Sequence, residues 1–225
     1  MESENTCDIV LIDDEPQTLQ FLSSLFWENG FKTHNFLSGT EALSFLRFTD
    51  KNIYLVLCDV RMPGMDGLQV LKEVRALPDY ADIPFLFLSA VNNRDIRLSA
   101  YKRGAIDYIT KPIDNEMLLA KVQSMLHFYA RVRIGSNTLL KGDRKKLSVE
   151  DIINYCEEER LTGFALLFNR REKGIILFEK GVLGTIRCAN LKDAAAFEKL
   201  NSWQSYTFHI IRGAFDPVLM RYYYS

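Results

Sequence analysis

The 225-residue chain has almost no excess of either charge: 28 Lys+Arg stand against 29 Asp+Glu, a formal net charge of −1. That balance argues against a strongly basic nucleic-acid binder and against an acidic disordered tail. No run approaches about 18 consecutive apolar residues, so a membrane span is not expected. The start, MESENTCDIV, has neither the basic nor the apolar region of a secretory signal. The four cysteines (Cys7, Cys58, Cys156, Cys188) are far apart and form no CxxC pair. A paired-cysteine zinc site is therefore excluded, and reduced thiols in a cytoplasmic protein are expected. Histidine is scarce. Only His127 and His209 follow position 100, and they form no HxxxD or HD-type metal pair. What remains is ordinary for a globular chain: 48% hydrophobic and 25% charged residues, enough for one large domain or two small ones.

The near-zero charge hides an asymmetry. Residues 1–128 carry 12 Lys+Arg against 18 Asp+Glu, and residues 129–225 carry 16 against 11. The sign change near mid-chain points to two units. In the first, the short apolar runs CDIVLI, IYLVLCDV and IPFLFLSAV have the length of buried strands, and FKTHNF and AIDYI read as two more. Between them lie apolar sets at helical spacing. These are Leu19, Leu22, Leu25 and Phe26 after Pro16; Ala42, Leu43 and Leu46; Leu68, Leu71 and Val74; Ile96 and Ala100; and Met117, Leu118, Val122 and Met125. Five strands alternating with five helices predict an α/β fold with a parallel sheet covered on both faces.

The second half reads differently. Residues 133–147 (RIGSNTLLKGDRKKL) are basic and polar and read as a linker. Ser148 is a candidate helix N-cap, with Asp151 three residues on, before Ile152, Ile153, Tyr155 and Cys156. The runs GFALLF, GIILFE and VLGTIRC, separated by Asn169–Gly174 and Lys180–Gly181, predict an antiparallel meander. A helix around Asp193–Ser202 and a last strand, SYTFHII, complete a smaller α+β unit.

In a doubly wound sheet, ligands bind beyond the carboxyl ends of the strands, where the strand order reverses. Asp13 and Asp14 end the first predicted strand, Asp59 the third and Ser89 the fourth, and Lys111 follows the fifth, ahead of Pro112. Taken singly, each has a bland reading: a helix cap, a strand end, a turn. Together they place three carboxylates, a hydroxyl and an ammonium on one rim. Clustered carboxylates repel, and a hard divalent cation relieves this; Mg²⁺ prefers such oxygen ligands. A carboxylate can also accept a phosphoryl group as an acyl phosphate, which makes Asp59 the candidate nucleophile. Lys111 and Ser89 can hold phosphoryl oxygens.

The segments VLIDDEP, LVLCDVRMPGMDG, LFLSA and GAIDYITKP, at these spacings, make residues 7–128 resemble the receiver domain of two-component response regulators. The resemblance implies a flavodoxin-like (βα)5 fold, with Asp59 as phosphoacceptor and Lys111 and Ser89 assisting. It implies Mg²⁺, or Mn²⁺ in its place, held by Asp14 and Asp59, by Asp13 through water and by the backbone carbonyl of Arg61. The Lys111–Pro112 peptide is expected to be cis. The implied phosphodonor is a histidine kinase or phosphotransfer protein. Ser89 and Tyr108 match the family's switch pair, whose signal reaches the face of the fourth helix, fifth strand and fifth helix. Asp107 and Lys121 lie where one subfamily makes dimer salt bridges across that face, so a homodimer is an expectation. Val91, being apolar, cannot orient an attacking water, which predicts slow self-dephosphorylation.

Residues 147–211 resemble the PATAN domain, through LSVEDIINYCEEERLTGFALL, GIILFEKGVLGTI and AAFEKLNSWQSYTF. This implies a signalling module that contacts a downstream protein. Two other outputs compete. KGDRKK and the basic second half suit a DNA-binding transcriptional regulator, yet only one helix precedes the meander, so no helix-turn-helix pair is visible. Glu157–Glu159 read as a solvated helix face, so no enzymatic output is expected. Trp203 and Phe208 read as core, and Tyr222–Tyr224 as exposed or packed between the halves. The resulting layout is 1–130 receiver, 131–147 linker and 148–225 PATAN-like domain.

Overall fold

The computed structural model describes residues 6–90 and 94–224. The chain divides into two units. One runs to Tyr129 and takes in the segment from Arg221; the other runs from Ala130 to Met220.

The first unit alternates strand and helix in the order β1 (Cys7–Ile12), α1 (Pro16–Glu28), β2 (Phe31–Phe36), α2 (Gly39–Phe48), β3 (Ile53–Asp59), α3 (Gly67–Arg75), β4 (Phe85–Ser89), α4 (Arg94–Lys102), β5 (Asp107–Thr110) and α5 (Asn115–Ser136), whose residues from Ala130 belong to the second unit. The strands form one parallel sheet in the order β2-β1-β3-β4-β5. The order reverses between β1 and β3, which opens a crevice above their carboxyl ends. β1, β3 and β4 are almost wholly buried. This is why they read as continuous apolar runs rather than alternating ones.

The helices start where local chemistry lets them. Pro16 occupies the first turn of α1, where its missing N–H costs nothing. The Ser38 hydroxyl accepts the Glu41 N–H at the start of α2. Asp66 and Gln69 form a reciprocal capping box on α3. The inner face of α5 is Leu118, Val122, Leu126 and Tyr129; Met117 is 56% exposed. Leu118 and Val122 of the spacing set lie on that face, whereas Met117 stands 100° round the helix from Leu118.

The second unit is an antiparallel sheet in the order β10-β9-β8-β7-β11-β6. Its elements are β6 (Thr138–Asp143), α6 (Val149–Glu158), β7 (Gly163–Phe168), β8 (Lys173–Glu179), β9 (Val182–Cys188), β10 (Leu191–Lys192), α7 (Asp193–Asn201), β11 (Thr207–Arg212) and α8 (Pro217–Tyr224), the last crossing the unit boundary. Ser148 and Asp151 close a capping box on α6. Lys180 (φ 52°) and Gly181 (φ 83°) supply the left-handed pair of a tight β8–β9 hairpin. Trp203, Tyr206 and Phe208 are buried among Val149, Ile152, Ala165, Ile176 and Leu200.

One expectation is corrected here and one is narrowed. The linker reading of residues 131–147 fails: α5 runs on to Ser136, and Thr138–Asp143 is an edge strand paired with β11. Gly142 and the charges around it look like loop chemistry, yet the glycine is needed because a Cβ there would come within 2.7 Å of the Phe208 ring. Tyr222, read as either exposed or packed, is packed. It is 9% accessible, and its ring meets that of His127 edge-on at 5.4 Å. No helix among the described residues is long and apolar enough to cross a membrane.

Candidate metal centre

The rim of the first unit gathers its charges at the ends of β1, β3 and β5. Asp13 directly follows β1 and is 2% exposed. Its Oδ1 accepts the Glu15 N–H at 3.0 Å, and its Oδ2 accepts from Lys111 Nζ at 2.7 Å. Asp59 closes β3. Its Oδ1 accepts the Val60 N–H at 2.6 Å and the Arg61 N–H at 3.4 Å, while its Oδ2 lies 3.6 Å from Lys111 Nζ. Asp13, Asp14 and Asp59 bring carboxylate oxygens within 4.8 Å of one another.

Burial pushes the Asp59 carboxyl above the usual carboxylate range. Lys111 pulls it back, the Asp13 charge adds to the rise, and the Val60 and Arg61 N–H groups oppose it. Burial works to lower Lys111, but the hydrogen bond and charge of Asp13, then Asp59 and Glu15, outweigh it and hold the ammonium above its ordinary value. One ammonium thus faces three carboxylates. The remaining negative charge and the all-oxygen donor set fit a hard divalent cation.

Ser89 ends β4, fully buried, and its carbonyl accepts the Lys111 N–H at 2.9 Å. The Lys111–Pro112 peptide is cis. Tyr108 is buried against Phe87, with ring centroids 6.2 Å apart, and the Arg97 guanidinium lies 5.6 Å above its ring. Arg61 is exposed and touches the cluster through its backbone N–H. Asp107 and Lys121 are paired with each other within the chain. Val91 lies outside the described residues.

Sequence reasoning missed Gly67. Its N–H donates to the Val60 carbonyl, and a Cβ there would stand 2.2 Å from the Asp59 carbonyl oxygen and 2.9 Å from the Phe87 ring. Only glycine lets α3 begin this close to the end of β3. The glycine stands in the quoted RMPGMDG motif, but its reason lies in a distance that spacing does not carry.

The family model for the response regulator receiver domain matches residues 9–123, just over half of the chain. The cyclic di-GMP phosphodiesterase response regulator RpfG of Xanthomonas campestris pv. campestris is 28% identical over 173 residues, covering 76% of this chain and 45% of that protein. The transcriptional regulatory protein ZraR of Salmonella typhimurium is 37% identical over 119 residues, covering 53% of this chain and 26% of that protein. Among solved structures, the chemotaxis protein CheY4 of Vibrio cholerae matches with a TM-score of 0.51 at 25% identity, covering 53% of this chain and 98% of that one. The chain thus spans between about a quarter and a half of the length of these two curated relatives. Receiver domains bind Mg²⁺ at a cluster of acidic residues, and Asp13, Asp14 and Asp59 form one here.

The expectation of no enzymatic output is corrected by these matches. The 173-residue match reaches beyond a receiver's length, in a relative named for a phosphodiesterase activity. The lack of histidine metal pairs and the solvated Glu157–Glu159 face are too narrow a ground, because they address only two kinds of catalytic site.

Proposed function

The chain belongs to the response regulator receiver domain family, and on that premise we propose that Asp59 takes a phosphoryl group from the phosphohistidine of a histidine kinase or phosphotransfer protein. The observation that carries this is the meeting of Asp59 and Lys111, with Asp13 and Asp14, in the crevice where the strand order reverses.

The chemistry follows from the side chains. Asp59 Oδ1 is engaged by two backbone N–H groups, which leaves Oδ2 to attack phosphorus. An O–P bond forms as the P–N bond of the phosphohistidine breaks, and the bonding pair leaves on the imidazole. Lys111, held by Asp13, pairs with a phosphoryl oxygen, and the Ser89 hydroxyl binds another. The crevice positions these groups, and positioning with electrostatics supplies most of the rate in phosphoryl transfer. Mg²⁺, or Mn²⁺ in its place, would be held by Asp13, Asp14, Asp59 and the Arg61 carbonyl and would neutralise phosphoryl charge. Ser89 and Tyr108 carry the switch. The receiver ends near residue 130, and the α+β unit that follows, β6 included, is a PATAN-like module that contacts a downstream protein.

The test of Asp59 is direct. Acetyl phosphate with Mg²⁺ should label the wild-type chain and leave Asp59→Asn unlabelled; labelling that survives the substitution refutes the assignment. The exposed Leu98, Tyr101 and Met117 of α4 and α5 support a homodimer through the α4-β5-α5 face. Sedimentation with and without beryllofluoride checks it, and a monomer in both conditions refutes it.

A further inference from the structure

The second unit holds a groove that phosphoryl chemistry does not use. It lies among α6, α7 and β9, encloses about 470 Å³, and has a floor of Ile153, Leu183, Ile186, Ala194 and Phe197. Glu150, Asn154 and Asp193 supply its polar side, and no Lys or Arg lines it.

A register change builds it. Ile176 pairs with Ile186 but Phe178 pairs with Leu183, so β9 carries one residue more than β8 between these pairs. Such a bulge re-aims the side chains beyond it. Leu183 is thereby brought to the face of Ile176 and Ile186, on which α6 and α7 pack, yet it stays 37% exposed. Gly184 lies inside the bulge, at the edge of the groove. At the other wall, Asp193 opens α7 with a left-handed φ of 48°, and its Oδ1 accepts the Ile186 N–H at 3.3 Å. Glu150, in the first turn of α6, brings a second exposed carboxylate.

Both carboxylates run against the local sign, since residues 129–225 carry more basic than acidic side chains. An uncovered apolar floor with carboxylates alone at its charged rim selects a partner with a bulky apolar group beside a cation. Small-molecule sites enclose most of their ligand; here Leu183, Glu150 and Asp193 stand open to solvent, which suits a side chain carried on a passing backbone.

We propose that this groove docks a peptide segment of a partner protein in which a bulky apolar side chain adjoins a lysine or arginine. The apolar side chain covers Leu183 and Phe197, and the cation pairs with Glu150 or Asp193. This deepens the reading of the second unit as a protein-contact module and rests on it.

The test uses the full chain and a phage-displayed random dodecapeptide library. Selection should enrich peptides with an apolar residue next to Lys or Arg. Those peptides should shift the amide signals of Asn154 and Gly184 and lose binding to Leu183→Asp. The double variant Glu150→Gln/Asp193→Asn should weaken them about 2- to 5-fold at low salt, the range for one exposed ion pair. Asn at 193 keeps an acceptor for the Ile186 N–H and tolerates the left-handed backbone, so this variant isolates charge from folding. Enriched peptides that lack a cation, or that bind Leu183→Asp as well as wild type, overturn the groove while leaving a protein-contact module elsewhere in the unit. No enrichment at all overturns both.

Discussion

The two units place their charges by different rules. In the first, all five strands run the same way, so their carboxyl ends share one rim, and Asp13 meets Lys111 although 98 residues separate them. In the second, neighbouring strands run oppositely, so no rim can collect strand ends of one kind. Its paired carboxylates, Glu150 and Asp193, come instead from the first turns of α6 and α7, brought together beside a bulge. Parallel topology makes a chemical centre out of strand ends, whereas the antiparallel unit makes a shape and decorates its edge.

The largest effect that tests this contrast is loss of one core while the other is left alone. Phe208 is fully buried in the second unit. Phe208→Ala should cost about 3–5 kcal/mol in urea unfolding of that unit, while acetyl phosphate still labels Asp59 at the wild-type level under native conditions. Labelling that falls in step with the second unit's stability would show that the two cores act as one.

Next comes the glycine that lets the rim close. Gly67→Ala should cost roughly 3 kcal/mol, because its Cβ would meet the Asp59 carbonyl oxygen at 2.2 Å. It should also cut labelling, because the displaced atom belongs to Asp59. Gly64→Ala is the control in the same loop. Its φ is 78° with nothing within 4 Å of a Cβ, so it should cost about 1–2 kcal/mol with labelling kept. Equal losses of labelling in the two variants would remove the special place given to Gly67. At the groove, Ser148→Ala removes the acceptor for the Asp151 N–H at the start of α6 and should cost about 1 kcal/mol, read as a shift of the second unit's thermal midpoint alone.

The same contrast explains what could be read from the amino acids. Doubly buried strands such as Ile53–Asp59 announce themselves as apolar runs, and the residues at their ends fall into place once the strand order is assumed. Asp13, Asp14, Asp59 and Lys111 do meet in space. The meander was legible through its turn residues, Asn169 and Lys180–Gly181. Strand β6 was not, because Thr138–Asp143 alternates only half-buried and exposed positions and includes a glycine demanded by the ring of Phe208. Nor was the groove, since a one-residue bulge at Gly184–Thr185 leaves no mark in a hydrophobic pattern. The partner of Tyr222 was hidden for a similar reason: His127 is 95 positions away and carries no complementary signal.

The smallest expected effect is a pH dependence confined to the antiparallel sheet. Burial pushes the His209 imidazole below its ordinary value, and Lys141, its cross-strand neighbour, pushes it the same way. The folded chain therefore holds a neutral ring, packed edge-on against Phe168 with centroids 5.1 Å apart, where the unfolded chain takes up a proton. More protons bound in the unfolded state means stability that rises with pH. This contribution is complete above the unfolded value of about 6.5 and is lost as pH falls through the lower folded one. The urea midpoint of the second unit, followed from pH 7 to pH 5, should thus fall more steeply in wild type than in His209→Gln. Lys141→Gln should reduce the wild-type slope by removing the second of the two causes. Parallel slopes for wild type and His209→Gln would show that the ring titrates alike in both states, and that this sheet face is wetter than its packing against Phe168 implies.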